Sequence, residues 1–178
     1  MFDGRTPFHY TGGNKQNQEV LGMTIRTQWS NLVGEWAGIN RVWLMPGEPV
    51  RESATAVSVA LAARDGFVTF KYTWADDGQP QDGLLIVRNA TEPGDRDMVW
   101  LDSWHTGGQF MVFRGEVDGD GRVSALTSYP APPGPDWGWR IELAAETADE
   151  FTIRMFNIPA GMDELLAVEA QYGRVRTA

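Results

Sequence analysis

Phe67-Val68-Thr69-Phe70-Lys71-Tyr72-Thr73-Trp74 decides the fold class. It is entered through Arg64-Asp65-Gly66 and left through Ala75-Asp76-Asp77-Gly78. Side chains on an extended chain alternate between two faces. Val68, Phe70, Tyr72 and Trp74 therefore share one face, opposite Thr69, Lys71 and Thr73. That is a strand with one apolar side, and Asp-Gly at its entry suits a tight hairpin turn.

The same rhythm extends in both directions. Upstream, residues 34–45 and 54–63 are extended stretches separated by Pro46-Gly47-Glu48-Pro49. Downstream, extended stretches cover 83–88, 97–105, 109–117, 122–129, 137–145, 150–158 and 164–176, separated by short Gly-, Asp- or Pro-bearing turns. About ten strands with almost no room for crossover helices predict an all-β chain. An antiparallel up-and-down barrel is the expected closure, because a closed sheet leaves no unpaired edge. A two-sheet sandwich is the alternative. Before the barrel, Leu21, Ile25, Trp29 and Leu32-Val33 recur at helical spacing, predicting a short helical or turn-rich lead-in. Residues 1–18 read as a polar, flexible arm, and 19–178 as one barrel domain.

Composition excludes several function classes. Net charge is −9, with 15 Lys+Arg against 24 Asp+Glu. That leaves little material for a basic face, so neither nucleic acid nor an anionic membrane surface is an expected partner. No cysteine is present, which removes disulfides and thiolate chemistry and suits a cytoplasmic setting. The start lacks a signal-peptide pattern, and no apolar run approaches a membrane span. Two histidines, His9 and His105, give no ligand cluster, so no metal is expected. Asp118-Gly119-Asp120-Gly121 lacks the further ligands of a calcium loop and reads as a hairpin turn.

The chemical candidates gather in Trp100-Leu101-Asp102-Ser103-Trp104-His105. Read as one regular central strand, it places Met98, Trp100 and Trp104 on one face and Val99 and Leu101 on the other. Asp102 and His105 then fall on opposite faces unless a bulge intervenes. Ser103 and His105 share a face but stand too far apart along it for a direct dyad. The plain reading is a half-buried histidine bonded to a neighbour. The sharper one makes His105 a general base tuned by Asp102 or another carboxylate, in an isomerase- or lyase-type enzyme. Because this wall is apolar on both faces, it also predicts a covering partner, either the N-terminal segment or a second copy in a homodimer.

Eight tryptophans beside a few polar groups predict a pocket for a small apolar or aromatic molecule inside the barrel. Trp74, Trp104, Trp137 and Trp139 would supply surface, with Tyr72, Asn157, Asp102 and His105 orienting the ligand. The competing expectation is a solid barrel whose role is structural.

Two resemblances sharpen the fold. Gly34-Glu35-Trp36 at the first strand, with Arg174 or Arg176 near the chain end, resembles the opening and closing signals of lipocalin and fatty-acid-binding (calycin) barrels. That likeness implies that Trp36 closes one end and that an arginine, Arg174 by position, packs across its ring. Tyr72-Thr73-Trp74, Gln81-Asp82-Gly83, Asp102-Ser103-Trp104-His105, Gly134-Pro135-Asp136-Trp137-Gly138-Trp139-Arg140 and Met155-Phe156-Asn157-Ile158 together are similar to an uncharacterised bacterial family of unknown function. It is placed among calycin-like barrels. The likeness implies a fold and no activity, so function rests on the site. Haem-binding members of the wider ten-stranded group use a histidine from a late strand. This chain has none there, and no cofactor is implied.

Overall fold

The computed structural model of the chain describes residues 31–89, 96–118 and 120–176. The expected arm over 1–18 lies outside these residues, as does the lead-in up to residue 30. The described chain forms ten strands. They are β1 (Gly34–Val42), β2 (Arg51–Ala62), β3 (Phe67–Asp76), β4 (Gln79–Arg88), β5 (Met98–Asp102), β6 (Met111–Val117), β7 (Val123–Tyr129), β8 (Trp137–Ala145), β9 (Glu150–Ile158) and β10 (Leu165–Arg174). Each pairs antiparallel with its neighbours in sequence, and β1 pairs with β10 to close an up-and-down barrel.

Alternation sets which side chains fill the barrel. In β3, Val68, Phe70, Tyr72 and Trp74 are all buried, and Trp100, Phe113, Ile141, Leu143, Ile153 and Val57 meet them from other strands. Outside, β1, β2 and β8–β10 carry an ionic lattice: Arg41 to Glu52 at 2.7 Å, Arg154 to Glu169 at 3.0 Å and Arg140 to Glu164 at 2.7 Å. The outer face of β4–β6 differs. Ile86, Val99 and Val112 stand opposite one another across three strands, with Val112 exposed. This is the outer half of the doubly apolar wall.

Three expectations need correction. β5 stops at Asp102, and 103–108 is a turn rather than a strand. Trp104 is consequently exposed and does not share the inner face with Met98 and Trp100. The two-residue hairpin with both central residues at positive φ is Asp77-Gly78 (48° and 79°), not Asp65-Gly66. Around Asp65 the chain takes a longer loop. There Ala63, Arg64 and Asp65 all have positive φ, and the Gly66 N–H donates to Ala63 O at 3.2 Å.

Trp36 and Arg174 meet at one end of the barrel. Trp36 is 1 % exposed, edge-on to Phe151 at 4.8 Å, and donates its indole N–H to Leu32 O at 2.8 Å. The Arg174 guanidinium lies 4.1 Å from the Trp36 ring centroid. Its nitrogens donate to Val33 O and Ala148 O, both at 3.1 Å, and to Asn31 O. One cation thus ties the last strand to the segment before the first. Arg174→Ala should lower unfolding free energy by about 1–2 kcal/mol, and Arg174→Lys should recover only part, since an ammonium lacks the planar fork. Urea denaturation of the three proteins checks this; equal stability of wild type and Arg174→Ala would refute the clamp.

Candidate functional site

The opposite end carries the loops 43–50, 77–78, 103–110, 130–136 and 159–164. The site there is built on Asp102, the last residue of β5, which points inward and is 4 % exposed. Directly after it the chain turns. The Thr106 hydroxyl accepts the Asp102 N–H at 3.0 Å, and the Thr106 N–H donates to Asp102 O at 3.2 Å. The turn brings residues 104 and 105 back over their own carboxylate, a side-chain-capped turn of the kind aspartate favours. Asp102 Oδ1 accepts the N–H of Trp104 and of His105, each at 2.9 Å, and faces His105 Nδ1 at 2.9 Å. The expectation that a strand holds Asp102 and His105 on opposite faces is therefore overturned: a turn, not a bulge, joins them.

The other carboxylate oxygen faces the core. Oδ2 accepts the Tyr72 hydroxyl at 2.8 Å and the Trp74 indole N–H at 3.2 Å. The Tyr72 oxygen in turn accepts the Trp100 indole N–H at 2.7 Å. Glycine makes this possible at Gly83, which stands opposite Tyr72 in the β3–β4 register. A Cβ there would lie 2.2 Å from the Tyr72 hydroxyl oxygen. Burial opposes charge on Asp102, but the hydrogen bonds and charge from His105 and the Tyr72 hydroxyl outweigh it, so its pKa is lowered. Tyr72 moves the other way: burial first, then the Asp102 charge, raise its pKa well above the ordinary value. Burial also pushes Tyr172 up to about 12.

His105 sits among indoles. Its ring centroid lies 5.4 Å from Trp74, 5.4 Å from Trp100, 4.6 Å from Trp104 and 5.9 Å from Trp139. Its side chain is only 12 % exposed. With Nδ1 held by the carboxylate, Nε2 is the nitrogen left for water or a ligand. Trp139 stacks on Trp100 at 5.7 Å and 9° between planes. Its own indole N–H is buried and has no hydrogen-bond partner among the described residues.

Several spaces lie at this end. One is a cleft of about 320 Å³ against the 103–110 loop, lined by Lys71, Ser103 and Gln109 among others. An inner chamber touches Asn40, Tyr72, Trp74, Asp102, His105 and Tyr172, and its volume is about 20 Å³. That is room for roughly one water. A cleft of about 420 Å³ opens along the lip of β10, lined by Trp43, Met45, Trp137, Asn157, Met162 and Leu165 among others. Asn157 lines the cleft; its side-chain oxygen accepts the Tyr129 hydroxyl at 2.7 Å, and it pairs with Trp139 in the β8–β9 register.

The residues singled out from sequence are thus distributed. Tyr72, Trp74, Asp102 and His105 surround the chamber, and Trp137 and Asn157 line the cleft. Trp139 packs between Trp100 and Tyr129, and Trp104 stands at the rim, 41 % exposed. Sequence reasoning missed Trp43, Met45 and Met162. An available signal was a large apolar residue inside a Pro- or Gly-bearing loop, as in Leu44-Met45-Pro46 and Gly161-Met162. No group of three His, Cys, Asp or Glu able to hold a metal occurs among the described residues. No helix among them is long and apolar enough to cross a membrane.

Comparison with known proteins follows the fold. A family model described as "Protein of unknown function (DUF1579)" matches residues 24–174. Among solved structures, Rv2717c from M. tuberculosis superposes with a TM-score of 0.58 at 20% identity, covering 85% of this chain and 98% of that one. The S-type phycobiliprotein lyase CPES from Guillardia theta gives a TM-score of 0.60 at 12% identity, covering 90% and 98%. At such identities the likeness is one of fold alone. The search of curated proteins gives no match.

Two outcomes follow from the carboxylate cluster. Because the folded Asp102 pKa lies below its unfolded value, its contribution to stability is full above the unfolded pKa and is lost as pH falls through the folded one. Asp102→Asn should cost roughly 2–4 kcal/mol at neutral pH and flatten the acid limb of a stability–pH curve. An unchanged acid limb would refute the assignment. Tyr172 behaves oppositely: its raised pKa supports the fold below the unfolded tyrosine value and ceases to do so as pH rises through about 12. Alkaline titration of phenolate absorbance should show Tyr172 and Tyr72 ionising last among the four tyrosines.

Proposed function

The chain belongs to the DUF1579 family, described only as of unknown function, and from its site geometry we propose that it binds a small apolar or aromatic molecule at the open end of the barrel. The carrying observation is the cleft of about 420 Å³ lined by indole, thioether and aliphatic groups. Its size falls in the range of small-molecule pockets, which is roughly 300–1,000 Å³. The inner chamber is too small for such a ligand. The binding place is therefore the lip, with the ligand's polar atom directed toward Asn157.

A second reading, acid–base catalysis, is favoured by one specific observation. The 2.9 Å contact between Asp102 Oδ1 and His105 Nδ1 fixes the ring and leaves Nε2 as the basic nitrogen. A carboxylate that orients an imidazole in this way prepares it as a general base. The reaction would be a proton transfer on an apolar substrate.

Each reading has its own check. A flat, uncharged probe such as 2-naphthalenemethanol should raise the melting temperature and quench tryptophan fluorescence, and Trp137→Ala should weaken it about tenfold, or roughly 1.4 kcal/mol. If no flat apolar probe moves either signal, the binding proposal is wrong. For the catalytic reading, nitrogen NMR of neutral His105 should show the proton on Nδ1; a dominant Nε2–H tautomer would exclude it as a base.

A further inference from the structure

The open end is asymmetric in charge. Its five loops hold Glu48, Asp77, Asp136, Asp163 and Glu164 and contain no lysine or arginine. The nearby cations on the strands are already engaged on the outer surface. Arg51 pairs with Asp76 at 2.9 Å, and Arg140 with Glu164 at 2.7 Å and Glu142 at 3.2 Å. Lys71 alternates outward from Tyr72 and is exposed. Within the barrel, Asp102 is a buried carboxylate whose hydrogen bonds favour its charged form. At this end His105, which could carry positive charge, already faces that carboxylate, and the buried Arg96 stands before the start of β5, toward the other end. Described arginines at loops of the other end, Arg64, Arg122 and Arg176 among them, are a barrel length away.

An anionic ligand entering the cleft would lose water and meet no lysine or arginine in the lining, whose one carboxylate, Glu164, already holds Arg140. Burying a charge without a partner is among the costliest events in a protein. A cation meets the reverse situation, since indole faces and carboxylates both attract it. The acidic loops alone would specify nothing. They acquire meaning from the apolar cleft they stand near, whose lining holds indole, thioether and aliphatic groups and no lysine or arginine.

We infer that the open end admits apolar or aromatic ligands that are uncharged or positively charged, and rejects carboxylates and phosphates. This rests on the binding reading above and narrows its ligand class.

The test uses three probes that share one ring system: 2-naphthalenemethanol, 2-naphthylmethylammonium and 2-naphthoate, titrated into the full chain by calorimetry at low and at higher salt. The alcohol and the ammonium should bind, and naphthoate should bind at least about tenfold more weakly at low salt. The gap between ammonium and naphthoate should narrow as salt rises, because screening acts on the exposed loop charges. The double substitution Glu48→Lys with Asp163→Lys changes two exposed positions and should close most of the naphthoate gap. Naphthoate binding as tightly as the alcohol overturns the inference while leaving the binding reading intact. A gap unmoved by the double substitution overturns the role given to the loop carboxylates. Failure of all three probes overturns the binding reading and this inference with it.

Discussion

A single buried carboxylate organises the open end of this barrel. Asp102 receives two backbone N–H groups, a phenol and an indole, and holds an imidazole. Each of these donors comes from a position that the fold must otherwise hold in place: Tyr72 and Trp74 from β3, and Trp104 and His105 from the turn after β5. Remove the negative charge and several buried donors lose their acceptor together, which is why the loss is larger than that of one ordinary hydrogen bond. The cluster also explains the glycine at position 83. Only a residue without Cβ lets the Tyr72 phenol cross the neighbouring strand to reach Asp102.

Much of the architecture is legible in the sequence. The alternation in 67–74 is strict because β3 has one buried and one outward face throughout, and the same holds in β8 around Trp139 and Ile141. The site was less legible, for a physical reason. A strand and a tight turn can carry the same short run of residues, and what ended β5 was a capping interaction between Asp102 and the backbone two and three residues on. An Asp followed by Ser or Thr and, soon after, two glycines is a turn signal, and Asp102-Ser103 with Gly107-Gly108 has that form. The aromatic residues of the preceding strand masked it. Nothing in the spacing of residues could show that Trp100 and Trp139, on strands β5 and β8, would stack across the interior.

The division between a filled interior and an open lip shapes the chemistry. Indoles, phenylalanines and methionines occupy the barrel so fully that the remaining chamber holds about one water. A wider barrel of similar strand number would store its ligand centrally. Here the larger space lies at the lip instead, and two exposed methionines, Met45 and Met162, form part of it. Thioether side chains adapt their shape more readily than indoles, so this lip is more pliable than the aromatic cluster beneath it.

The seam between β1 and β10 has a kinetic consequence. Every other strand pairing joins segments adjacent along the chain, whereas the seam joins Trp36 to Arg174 and Val42 to Val168. Hairpins form over short loops at small entropic cost, and a contact between the two ends of a polypeptide is the expensive one. The nine local pairings can therefore assemble as an open, curling ribbon, and ring closure becomes the non-local event that commits the molecule to its final state. Any truncation that deletes the last strand removes more than ten residues of packing. It leaves the ribbon permanently uncurled, with two bare backbone margins free to recruit strands from other molecules.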